Sequence, residues 1–120
     1  MKIAIPMNES RVDGEVCVSF GRAPYFLFYD TESRETNFME NPAAAAQGGA
    51  GIKAAQALVD ENAQALLTVR CGENAAEVFK AAEIKIYKTT KVTAKENMEA
   101  FEKGELALMT HFHAGFHGKV

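Results

Sequence analysis

The segment HFHAGFH, residues 111–117, carries all three histidines of the chain. Imidazole nitrogens suit zinc, nickel, copper or iron, which makes His111, His113 and His117 candidate metal ligands. His111 and His113, two apart, can share a strand face; His113 and His117, four apart, can share a helix face. Gly115 and Gly118 oppose a regular helix, so any metal site there would come from a loop wrapping the ion, and the plainer reading is a flexible tail over residues 109–120. Two cysteines, Cys17 and Cys71, offer softer ligands. Cys71 stands just ahead of a predicted helix with Arg70 beside it. The positive end of the helix dipole and the guanidinium both favour the thiolate, the nucleophilic and metal-binding form. Read structurally, Cys71 is instead a small hydrophobe at a tight junction, and that plainer role suits Cys17 better still. No CxxC occurs, which excludes a zinc ribbon or a thioredoxin motif.

A third group could bind without bonding covalently. Gly48, Gly49 and Gly51 lead into a helix, where glycine lets N–H groups turn toward an anion. Their spacing fits neither GxGxxG nor a Walker loop, so nucleotide recognition is not supported. Arg22 and Arg70 would add positive charge. Catalysis finds less support. Phosphodiester cleavage by two metal ions needs clustered carboxylates, yet KIAIP and ALLTV contain none, and Glu9, Asp30 and Glu73 form no paired pattern. No GxSxG or HExxH occurs.

The elements that must position these residues follow from hydrophobic periodicity. KIAIP (2–6), the continuous apolar run YFLFY (25–29) and the partly alternating ETNFME (35–40) read as strands, with Pro6 ending the first. NPAAAAQGGAG (41–51) has no pattern and is expected to be mobile. Ile52, Ala55, Leu58 and Val59 then form a helical stripe before the strand ALLTV (65–69). Ala75, Val78, Phe79 and Ala82 form another before the strand IKIY (84–87). TAKE (93–96) is a capping box opening a third helix that Gly104 stops. Three early strands followed by α-β-α-β-α predict a mixed sheet with helices on its faces. Ligands of open α/β sheets gather beyond the carboxyl ends of the parallel strands. MNES (7–10), QGGAG (47–51) and RCGEN (70–74) should therefore meet there.

At 120 residues the chain is one domain, and 48% hydrophobic with 24% charged residues is ordinary globular composition. A net charge of −3 argues against general nucleic-acid binding, which phosphate neutralisation drives. Lys85, Lys88, Lys91 and Lys95 read as a solvated strand end and loop. No apolar run approaches a membrane span and MKIAIPMNES lacks a signal-peptide core, so a cytoplasmic protein with reduced thiols is expected.

FGRAPYFLFYD (20–30), GGAGIKAAQAL (48–58), CGENAAEVFKAAEIKIY (71–87) and KGELAL (103–108) occur in an order and spacing that resemble the dinitrogenase iron-molybdenum cofactor biosynthesis family, the NifX-like domains. The resemblance implies a ribonuclease H-like α/β fold over residues 1–108, a three-layer arrangement in which helices flank a five-stranded mixed sheet with an antiparallel second strand. It implies a non-enzymatic binding or carrier role for an iron-molybdenum cofactor precursor or related metal-sulfur cluster. Partners would be that cofactor and a cofactor-assembly or acceptor protein, with no nucleic acid or membrane. Cys71 and Cys17 would be thiolate ligands, Gly48, Gly49 and Gly51 amide donors, Arg22 and Arg70 charge donors, and the histidines closing ligands. The main alternative is a metal-free interaction or regulatory module on the same fold; a metal-dependent hydrolase is a weaker third.

Overall fold

The structure, a computed structural model, describes residues 1–113. Its elements run β1 (Lys2–Met7), β2 (Tyr25–Asp30), β3 (Thr36–Glu40), α1 (Ala50–Asp60), β4 (Ala65–Thr68), α2 (Glu73–Ala81), β5 (Lys85–Lys88) and α3 (Ala94–Glu102). The five strands form one sheet in the order β3-β2-β1-β4-β5. β2 is antiparallel to both neighbours, whereas β1, β4 and β5 are mutually parallel. The mixed sheet with an antiparallel second strand is therefore present.

The strand alternation sorts side chains into two cores. Ala4, Phe26, Phe28, Leu66 and Ile86 pack with Ala54, Leu58 and Phe79 of α1 and α2 on one face. Ile3, Ile5, Met7, Leu27 and Leu67 pack with Ala94, Met98 and Ala100 of α3 on the other. Helices thus cover both faces, and the continuous apolar runs of β1 and β2 are what a doubly covered strand requires. Among the described residues no helix is long and apolar enough to cross a membrane.

Two local expectations need correction. Pro6 does not end β1. Proline tolerates extended backbone and lacks only a donor, and its carbonyl accepts the Cys17 N–H at 2.8 Å. The 41–51 segment is not uniformly loose either. Asn41 is buried, its Oδ1 accepts the Ala43 N–H at 2.9 Å, and Ala43 reaches the core. Gly48 and Gly49 are exposed, and a Cβ added at either would meet nothing within 4 Å.

Packing continues past Leu108, where the hydrophobic pattern of the sequence stops. The Lys88 N–H donates to Ala107 O at 3.0 Å and the Met109 N–H to Ile86 O at 2.8 Å, extending the outer edge of β5. Met109 and Phe112 then pack against the core. Residues 109–113, read from the sequence as the start of a flexible tail, are thereby held against β5 and α2; His117 lies outside the described residues.

The capping box is realised at α3, with Thr93 Oγ1 accepting the Glu96 N–H at 3.2 Å and Glu96 Oε1 accepting the Thr93 N–H at 3.3 Å. One turn on, the fully buried Asn97 fastens the loop after β5. Its Oδ1 accepts N–H groups of Thr90 and Lys91 at 3.0 and 3.1 Å, and its Nδ2 donates to the carbonyls of Lys91 and Thr93 at 3.0 and 2.8 Å. Asn97→Ala leaves those backbone groups without partners, each costing on the order of 1 kcal/mol or more. The expected loss is about 2–4 kcal/mol in denaturant unfolding, against under ~0.5 kcal/mol for Glu99→Ala at an exposed position on the same helix.

Candidate functional site

The parallel strands β1, β4 and β5 end at one edge of the sheet, and the segments leaving that edge enclose a cleft of about 560 Å³. Residues 18–22, 47–52, 70–72, 74 and 75 supply its walls with His113, and the Glu73 between them is not in the lining. Of the three segments expected to meet, QGGAG and RCGEN do and MNES does not. After β1 the chain turns to the opposite face, where Gly14 O and Val12 O accept N–H groups of Ala94 and Lys95 at the start of α3, both at 3.0 Å. The vacant wall is taken by the segment preceding β2. It is anchored by Phe20, whose ring lies 5.5 Å from Phe26 and 5.4 Å from Phe79.

Two helices begin on the cleft. Gly49 caps α1 in a left-handed conformation with φ 68°, and no side chain accepts from the first turn, which carries no acid. The first intrahelical bond there runs from the Lys53 N–H to Gly49 O at 3.0 Å. The N–H groups of Ala50, Gly51 and Ile52 therefore have no intrahelical acceptor. Gly72 caps α2, also without a side-chain cap, and the Glu73 N–H donates to His113 O at 2.9 Å. Gly51 sits beside Ala75, placing the two helix starts side by side. Helix N-termini favour anions, and among the described residues the cleft lining includes arginine and histidine but no carboxylate.

Arg70 is exposed at the wall and forms no ion pair with any described residue. Arg22 is committed: its Nη1 donates to Ala44 O at 3.2 Å and to Ala46 O at 2.6 Å. Cys17 is half-buried against the core and is not part of the cleft. Cys71 lines it, but with only 1% of its surface exposed. Burial pushes the Cys71 thiol up to about 12, the opposite of the lowered value expected from its place before a helix. Desolvation penalises the anion more than one helix end and a solvated arginine favour it. The thiol stays protonated and lies 3.6 Å from Gly72 O as a weak donor.

The histidines diverge. The His113 ring lies over Gly72, where an added Cβ would come within 3.1 Å of Cε1. His111 borders a second, smaller cavity of about 470 Å³ on the far side of Cys71 and His113. Among the described residues no three His, Cys, Asp or Glu side chains are grouped to hold a metal ion. Gln47 and Asn74 arrive as parts of QGGAG and RCGEN, whereas sequence reasoning did not anticipate Val18, Phe20 or Gly21 in the cleft wall. Nearness to Arg22 was the available signal.

Open α/β sheets place their ligand sites at the carboxyl edge, where this cleft lies, and the fold by itself fixes no reaction. Over residues 1–104 the sequence matches the dinitrogenase iron-molybdenum cofactor family, and the chain belongs to that family. Its structure is similar to the apo form of the orange protein from Desulfovibrio gigas, with TM-score 0.87, 30% identity, and coverage of 91% of this chain and 92% of that one. A Thermotoga protein provisionally described as NifB aligns with TM-score 0.81 and 38% identity, covering 92% and 95% of the two chains. A Methanocaldococcus jannaschii protein provisionally described as a dinitrogenase shares the fold, with TM-score 0.71, 24% identity and coverage of 92% and 96%. No curated protein matches the sequence significantly.

The buried thiol sets two expected outcomes. Near neutral pH, Cys17 should alkylate well ahead of Cys71. Lifting a thiol from 9.0 to about 12 cuts its thiolate fraction about a thousandfold, before access is considered. Because the folded value lies above the unfolded one, the stability gained by burying the neutral thiol is complete below about pH 9 and is lost as pH rises toward 12. Urea unfolding across that window should show a weaker alkaline decline in Cys71→Ala than in the wild type.

Proposed function

We propose that this protein is a non-enzymatic carrier that holds an anionic metal-sulfur species in the cleft between the starts of α1 and α2. The cargo would be an iron-molybdenum cofactor precursor or a related cluster. The observation that carries the reading is the pairing of two helix starts without side-chain caps and an exposed Arg70, in no ion pair with a described residue, around a lining whose described residues include no carboxylate. Cluster sulfides and oxo groups carry negative charge, and N–H donors with guanidinium offset it without adding more. Family membership supports the cargo class, and the solved apo form of the similar orange protein implies a bound counterpart of that protein.

The donor set fits a cluster that arrives already assembled. Cys71 is the one cysteine in the lining, so it would add a single soft ligand rather than build a cluster from bare ions. Its proton must leave as a metal–sulfur bond forms, because thiolate is the ligating form. His113, which lines the cleft wall, would close on the cargo. Such cargo suits a reducing, cytoplasmic setting and transfer to or from an assembly or acceptor protein.

Reconstitution with iron and sulfide, and separately with tetrathiomolybdate, followed by metal counting and visible absorption, tests the proposal. Wild-type protein should retain coloured metal-sulfur material. Arg70→Ala should weaken tetrathiomolybdate binding by about tenfold at low salt and flatten its salt dependence, the effect of removing one charge contact. Cys71→Ser should lower retention of the iron-sulfide product. A wild type that retains no metal under either condition would overturn the carrier reading in favour of a metal-free interaction module.

A further inference from the structure

We infer that Arg22 and Asn41 form a reciprocal clasp that positions the glycine amides of the cleft, and that Arg22 is a positioning residue rather than a charge that meets the cargo. The inference rests on the carrier reading of the cleft. It starts from the two loops that flank the β2–β3 hairpin and meet at its open end, where Tyr25 pairs with Glu40 at the carboxyl edge. From the loop before β2, Arg22 Nη1 reaches across to the carbonyls of Ala44 and Ala46 at 3.2 and 2.6 Å. From the loop after β3, Asn41 Nδ2 reaches back to the carbonyls of Gly21 and Ala23, both at 2.9 Å. Each loop therefore holds the main chain of the other. Both side chains bond to carbonyl oxygens, groups whose negative ends would repel an anion if they turned into the cleft.

The geometry ties this clasp to the start of α1. A Cβ on Gly21 would lie 2.9 Å from the Gly51 nitrogen and 3.0 Å from its Cα, so the Gly21 backbone lies directly against the first turn of the helix. Asn41 fixes Gly21 through its carbonyl, and Gly21 abuts the turn that presents the open N–H groups. On the other side, Arg22 holds Ala46, two residues before the exposed Gly48, where even an added Cβ would meet nothing within 4 Å. The glycines supply conformational freedom and the clasp removes it where the cargo is met, sparing the ligand the ordering cost.

A charge contact and a clasp predict different behaviour. Lysine keeps the charge of arginine, but its ammonium stops one atom short of Nη1, the single nitrogen that bonds both carbonyls. Asn41 carries no charge and is absent from the cleft lining. Tetrathiomolybdate affinity, measured by absorption titration at low and moderate salt, is compared in the wild type, Arg22→Lys, Arg22→Gln and Asn41→Ala. Hydrogen exchange is followed over residues 44–52 and, as a control, over β4. The expected result is a loss of about tenfold in all three variants, comparable to one or two hydrogen bonds of organisation, with the wild-type salt slope retained. Exchange should quicken over residues 44–52 and stay unchanged in β4. Rescue of affinity by Arg22→Lys, or wild-type affinity and exchange in Asn41→Ala, would overturn the clasp and leave the carrier reading standing. Should buried Asn41→Ala not fold, the two Arg22 variants decide: equal losses support the clasp and lysine rescue overturns it. A wild type that does not bind tetrathiomolybdate overturns this inference; retention of the iron-sulfide product would then keep the carrier reading alive.

Discussion

At the carboxyl edge of the sheet, main chain meets main chain with no side chain between. Gly21 lies so close to the first turn of α1 that a methyl group there would enter the contact radius of the Gly51 backbone. That approach requires glycine on the loop side and a helix start without a bulky cap on the other, and Gly49 with its left-handed φ supplies the latter. Phe20 can then turn into the core against Phe26 and Phe79 while its neighbours Ser19 and Gly21 stay at the cleft. Moving the loop outward to fit a side chain at position 21 would draw on both the aromatic packing and the Asn41 bonds. The cleft is thus bounded by backbone that the core itself holds in place.

The electrostatics of the cleft result from a contest that different residues settle differently. Arg70 remains in water, where its charge costs little and acts at a distance. The open N–H groups of α1 carry partial charge at no desolvation cost beyond that of the helix itself. Cys71, two residues before α2 begins, is drawn inward, and desolvation outweighs the favourable dipole. The result is a site whose permanent character is that of a donor of hydrogen bonds, with one thiol held neutral by its burial.

Much of this architecture is legible in the residues themselves. The continuous apolar runs of β1 and β2, the 3.6-residue stripes of α1 and α2 and the TAKE capping box each specify an element through local physics, and each element appears within about two residues of its expected limits. The gathering of QGGAG and RCGEN follows from the rule that parallel strands deliver their loops to one edge. These features depend on periodicity, turn chemistry and strand direction, all of which are written along the chain.

What the tertiary structure decided depends on contacts between residues far apart in sequence. The alanines after Pro42 read as loose because they carry no periodicity; Asn41 turns them locally, and Arg22 and the core hold them once β2 and β3 pair. MNES reads as a cleft segment by strand direction, but its continuation finds acceptable hydrogen-bond partners at the start of α3 and is carried to the other face. The same limit explains the thiol. Position before a helix is visible in sequence and argues for a thiolate, whereas desolvation is a property of the whole packed neighbourhood and reverses the sign. The sequence by itself determined the elements, their order and the kinds of side chain available to the cleft, because those rest on local periodicity and composition. The fold alone decided which of them share a surface and in what ionic state, because burial and long-range bonding exist only after the chain has closed on itself.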